Sequence, residues 1–238
     1  ISSPTDLAIQ FSVNTNSVVA ELGMVPNQPL TFATDSKPRW EDALIAYTWD
    51  KFFKTGDSRW PARMAMTKSA TAAMTAIQRL LAEEDVTIKD FFVAGASKRG
   101  WTTWTTAAVD DRVRAIAPIV IDLLNIEPSF EHHWRVYGFW SPAIQDYVDM
   151  SITDWWRSAE SHTLFDLIAP LSYRDRYTMP KLILNAAGDE FFVPTSSQFY
   201  YDKLPDEKYL RYVPNVGHGI DDSDALETGL AFYASILN

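Results

Sequence analysis

Apolar runs at 91–94, 113–121, 181–184 and 209–213 alternate with segments of helical periodicity, and this alternation is what most limits the folds open to the chain. Runs so rich in Val, Ile, Leu and Phe suit strands buried on both faces, and strands separated by helices predict a parallel α/β sheet flanked by helices. Helices are expected over 41–53, from Trp60-Pro61 to about 85, over 101–109, around 196–204 and over 225–237. In the second of these, Met66, Ala70, Ala73, Met74, Ile77 and Leu81 share a face. Thr5-Asp6 opens a short capped helix, and 18–25 reads as one further strand that stops before Pro26. The 55 or so residues between the second and third apolar runs form an insertion at 125–179. The remainder divides into a first core part, 1–124, and a second, 180–238.

The first apolar run enters Gly95-Ala96-Ser97-Lys98-Arg99-Gly100 just before a helix. A serine on a tight strand-to-helix turn stands clear of the sheet, and small neighbours let the backbone bend; this is the nucleophile elbow. The usual second glycine is replaced here by Arg99, and Gly100 follows one residue late. A serine N-cap on the next helix is the competing structural reading.

A nucleophilic serine needs a base, and the chain has four histidines: His132, His133, His162 and His218. His218, in Val216-Gly217-His218-Gly219, directly follows the last strand. The acid of this fold comes between serine and histidine in chain order. Asp189, just past the third strand, fits best, with Asp122 after the second strand as the alternative acid. Ser97, Asp189 and His218 each follow a parallel strand at its carboxyl end, where open α/β sheets build sites. The backbone N–H of Lys98 would be one oxyanion donor, and the second would come from a loop after an earlier strand. Apart from the run at 91–94 that enters Ser97, only one strand, 18–25, is expected upstream, so early strands are expected to be missing from this sequence and an upstream segment or a second polypeptide to complete the sheet.

With 21 basic and 31 acidic residues the formal charge is −10, which opposes binding to phosphate backbones, so nucleic acid is not an expected partner. No apolar run is long enough to span a membrane. Zero cysteines remove disulfides, thiolate metal sites and cysteine nucleophiles. No metal is expected either, because the adjacent His132 and His133 project differently and no HExxH partner occurs. No cofactor is implied. His162, near Glu160, is expected at the surface or on the insertion. Aromatic residues crowd 134–156, and Trp134, Trp140, Trp155 and Trp156 are candidates for an apolar lid over a substrate cleft, with packing onto the core as the alternative.

Gly95-Ala96-Ser97-Lys98-Arg99-Gly100-Trp101-Thr102-Thr103-Trp104, Pro170-Leu171-Ser172-Tyr173-Arg174-Asp175-Arg176, Gly188-Asp189-Glu190-Phe191-Phe192 and Pro214-Asn215-Val216-Gly217-His218 together resemble the PhoPQ-activated pathogenicity-related proteins, which are α/β-hydrolases. The resemblance runs over 3–238 and implies a secreted or cell-envelope protein whose natural chain extends beyond both ends of this one. The elbow also resembles that of glucuronoyl esterases, in which a basic residue after the serine aids the oxyanion; Lys98 holds that place here. The expected function is a serine hydrolase acting on a small-molecule, peptide or carbohydrate ester or on an amide. The competing class is a non-catalytic binding or signalling protein that keeps the fold.

Overall fold

A computed structural model describes residues 3–220 and 223–237. Four parallel strands, β1 (Phe91–Ala96), β2 (Val113–Ile119), β3 (Lys181–Ala186) and β4 (Lys208–Val213), form a sheet in the order β1-β2-β3-β4. Each sits where an apolar run predicts it. The faces alternate with the two-residue period of a strand from Ala115 onward and along β3, after a register irregularity that leaves Val113 on the same side as Ile116. Val113, Ile116 and Ile183 enter the main core, whereas Ala115, Ala117, Leu182 and Leu184 meet Phe232 on the other side.

The main core is capped by α2 (Glu41–Thr55), α3 (Ala62–Ala82) and α4 (Lys98–Val109), and the opposite face by α1 (Asp6–Thr15) and α8 (Ala225–Leu237). Helix α4 is the central pillar, with Trp101 and Trp104 almost wholly buried. Trp101 Nε1 donates to the Ile168 carbonyl at 2.7 Å, which ties the elbow helix to the insertion between β2 and β3. That insertion carries α5 (Ile126–Tyr137), α6 (Gln145–Asp149), α7 (Ala159–Ile168) and three 3₁₀ turns. It adds no strand to the sheet.

Two expectations are corrected. Residues 18–25 form no strand but an irregular segment. A strand exists only by pairing, and here Val18, Val19, Leu22 and Val25 instead line a groove of about 1000 Å³ along β1. The second correction is at 196–204, where two 3₁₀ turns, Ser196–Phe199 and Tyr201–Lys203, replace one helix. Tyr200 lies between them, fully buried and with φ −142°, outside helical geometry.

β1 lies at the end of the sheet, and its outer edge borders the groove, together with Ala70, Ala73, Met74 and Ile77 of α3. The shared helix face read from the sequence therefore does two things. Met66 and Met74 are buried, while Ala70, Ala73 and Ile77, together with Met74, line the groove.

Candidate active site

Ser97 stands between β1 and α4 with φ 54° and ψ −122°, a region that side-chain-bearing residues occupy only under strain. Its N–H donates to the Ile119 carbonyl at 2.8 Å, which pins the turn to β2. The two glycines have distinct reasons. A Cβ on Gly95 would lie 2.7 Å from the Arg99 carbonyl oxygen, and one on Gly100 would lie 2.9 Å from the carbonyl oxygens of both Gly95 and Ile119. Close helix-to-strand packing thus falls on position 100, which leaves position 99 free to carry an arginine.

His218 reaches Ser97 from the loop after β4. Its Nε2 lies 2.8 Å from Ser97 Oγ, and its Nδ1 lies 2.9 Å from Asp189 Oδ2. A carboxylate can only accept, so Nδ1 carries the proton and Nε2 is left to accept from the serine hydroxyl. Asp189 is 4% exposed and held by a turn of its own: Oδ1 accepts from the N–H groups of Phe191 at 2.8 Å and Phe192 at 3.1 Å. Glu190 acts from the neighbouring position, its Oε2 accepting from the His218 N–H at 3.0 Å. The Phe191 ring packs against the imidazole, with centroids 4.3 Å apart.

Asp122 does not reach the imidazole. It is buried at the carboxyl end of β2, and its Oδ2 accepts from Tyr212 Oη at 2.5 Å. Burial, opposed by the bond from Tyr212, pushes its carboxyl up to about 6. Between the unfolded value near 4 and this folded value the native state holds the extra proton, so rising pH through that window costs native stability. Asp122→Asn is therefore expected to gain on the wild type by about 2–3 kcal/mol between pH 4 and pH 7, read from paired urea denaturation curves. A constant difference across that range would show that the carboxyl ionises freely.

Lys98 is buried and paired, whereas Arg99 is partly exposed but paired as well. Lys98 Nζ lies 2.7 Å from Asp42 Oδ2 and 3.3 Å from Glu41 Oε2, and Arg99 forks onto both oxygens of Glu41 at 2.6 and 2.7 Å. The Arg99 hydrogen bonds, outweighing partial burial, lower Glu41 to about 2. Tyr147 of α6 donates to Asp42 Oδ1 at 2.9 Å, so this network joins the insertion to the elbow. The Lys98 N–H belongs to the first turn of α4, where amides have no intrahelical acceptor, as an oxyanion donor requires.

A cavity of about 30 Å³ adjoins Ser97, and the insertion lines it with Phe130, Ile144 and Tyr147 rather than with its tryptophans. Trp140, Trp155 and Trp156 pack against the main core, Trp155 stacking on Phe53 at 5.1 Å, and Trp134 is 46% exposed. The other histidines are occupied elsewhere. His132 bonds Thr195, buried His133 accepts from the Ser141 N–H, and His162 meets Glu127. Among the described residues no cluster of His, Asp and Glu is arranged to hold a metal ion. No helix among them is long and apolar enough to cross a membrane.

Sequence reasoning missed Glu41, Asp42, Arg63 and Tyr147, which lie 34 to 56 residues from Ser97 in either direction and have no local motif.

Among solved structures the chain is similar to acetyl xylan esterase 1 from Thermoanaerobacterium sp. JW/SL YS485, with a TM-score of 0.51 and 18% identity, covering 71% of this chain and 52% of that one. It is also similar to the Pyrococcus horikoshii acylaminoacyl peptidase, with a TM-score of 0.52 and 16% identity over 75% of this chain and 30% of that one. These likenesses establish the α/β-hydrolase fold. Autocrine proliferation repressor protein A of Dictyostelium discoideum is 42% identical over 211 residues, which are 87% of this chain and 43% of that protein. The chain thus spans less than half the length of this curated relative. With the model of the PhoPQ-activated pathogenicity-related protein matching residues 1–238, the chain belongs to that family.

Proposed function

We propose that this protein is a serine hydrolase that cleaves an ester or amide through Ser97, His218 and Asp189. The observation that carries the reading is the unbroken hydrogen-bonded series from Asp189 through His218 to Ser97, at 2.9 and 2.8 Å. Ser97 Oγ attacks the acyl carbonyl as His218 Nε2 takes its proton, and Asp189 stabilises the resulting imidazolium. His218 then protonates the leaving group, and a water, activated by the same imidazole, releases the acyl group. The Lys98 N–H donates to the oxyanion. Residues 125–179 serve as a lid across the two core parts, 1–124 and 180–238. A fluorophosphonate probe tests the reading: it is expected to label Ser97 and no other serine, and to lose that label in His218→Ala.

The outer edge of β1, unpaired among the described residues, and the groove beside it support a further part of the proposal. A strand from the remainder of the natural protein, or from a second polypeptide, occupies that groove and brings the second oxyanion donor. Loss of one such donor typically costs about 10²–10³-fold in turnover, so residues 1–238 alone are expected to hydrolyse an activated ester that much more slowly than the full-length protein. Equal turnover of the two forms would reject this part. The family resemblance supports a secreted or envelope location as part of this reading. The second reading, a non-catalytic signalling protein, is favoured by the name of the Dictyostelium relative, which describes repression of proliferation; it predicts no labelling of Ser97.

A further inference from the structure

Arginine is almost never fully buried unless it is paired. Arg63, in the first turn of α3, is 2% exposed, and no described carboxylate forms an ion pair with it. Glu41 and Asp42 act on it only from a distance and are already engaged by Arg99 and Lys98. Arg63 Nη1 donates to the Lys98 carbonyl at 2.9 Å, and the guanidinium lies 4.2 Å from the centre of the Trp101 ring. Its Nε is buried with no hydrogen-bond partner. An unused donor of a buried cation is costly, and an acceptor brought by a ligand removes that cost.

The place of this guanidinium gives the unused donor a use. Arg63 and Ser97 line the same cavity, whose other walls are largely aromatic and aliphatic. Asp42 also borders it, but Lys98 Nζ at 2.7 Å and Tyr147 Oη at 2.9 Å offset its charge. A water needs about 10–15 Å³ on the scale by which this cavity measures about 30 Å³, so the space suits a group of carboxylate size.

We infer that Arg63 recognises a carboxylate carried on a short acyl group, so that the preferred substrates are esters of small dicarboxylic acids. This rests on the hydrolase reading. A carboxylate matches the planar guanidinium fork and supplies both the missing counter-charge and the missing acceptor. With monomethyl succinate, Ser97 Oγ would form a bond to the ester carbonyl carbon, and His218 would pass the serine proton to the departing methoxide. Methanol leaves, and water then releases succinate.

The experiment compares kcat/KM of the full-length protein for monomethyl succinate and for neutral methyl butyrate. The wild type is expected to favour the succinate ester by about tenfold or more, with the preference lost in Arg63→Met and partly kept in Arg63→Lys. A purely structural role would lower both rates together, so an unchanged ratio overturns the inference, as does a wild type that treats the two esters alike. If neither alkyl ester turns over, protection of Ser97 from the fluorophosphonate probe decides, and it needs only the wild type. Free succinate is expected to slow labelling where butyramide does not. Labelling that succinate leaves unchanged overturns the role of Arg63 alone, whereas no labelling of Ser97 at all overturns the hydrolase reading and this inference with it.

Discussion

Ser97→Ala is expected to lower kcat on an activated ester by about 10⁴–10⁶-fold, the range seen when a nucleophile that works together with its base is removed. The substitution deletes the one oxygen that His218 Nε2 meets at 2.8 Å. It leaves the Ser97 N–H bond to Ile119 and the glycine contacts of the elbow in place. Stability is therefore expected to change little, or to rise slightly, because alanine occupies the same strained backbone position without a hydroxyl to orient. The measurement is single-turnover and steady-state hydrolysis alongside a denaturation curve. Turnover that survives in a folded Ser97→Ala protein would remove Ser97 from the chemistry. His218→Ala is expected to cost about as much, since nucleophile and base act as a unit and their losses do not add.

Asp189→Asn is expected to cost about 10⁴-fold in kcat with little change in fold. The asparagine amide can still accept from Phe191 and Phe192, but at His218 it can present a donor where the imidazole needs an acceptor. The imidazole then favours the tautomer with its proton on Nε2, which cannot receive the serine proton. Asp122→Asn makes the matching control, because that carboxyl bonds Tyr212 and not His218. It is expected to leave turnover within a few-fold of the wild type while changing the pH dependence of stability. Were Asp122→Asn the damaging change and Asp189→Asn the mild one, the acid would have to be reassigned.

The features legible from the residues alone were those with local causes. A continuous apolar run has few places to go other than a buried strand, and all four such runs became the strands of one parallel sheet. The turn at Gly95-Ala96-Ser97 was readable because backbone crowding admits only glycine at position 95, and the late Gly100 because the helix presses on Gly95 and Ile119 there. The chain order of Ser97, Asp189 and His218 was readable too, since each follows a strand and parallel strands deliver their ends to one edge of the sheet.

Pairing across long sequence separation was not legible. Residues 18–25 have the composition of a strand, but composition supplies no neighbour, and without one the segment lies irregularly along the groove. Lys98 and Arg99 look like surface charges until α2 brings Glu41 and Asp42 across to them. Asp189 is the better-placed carboxylate in the sequence and Asp122 its rival after a neighbouring strand, and the contact of Asp189 with His218 is made by the 189–192 turn and the loop from β4. Arg63 is the extreme case: a cation on an apparently amphipathic helix that the closure of α2, α4 and the insertion buries beside Ser97. Sequence thus determined the four strands of the sheet, the turn at Ser97 and the chain order of Ser97, Asp189 and His218, because hydrophobicity and steric permission act between near neighbours; tertiary packing alone decided burial, charge pairing and the contact of Asp189 with His218, because those depend on what lies across space.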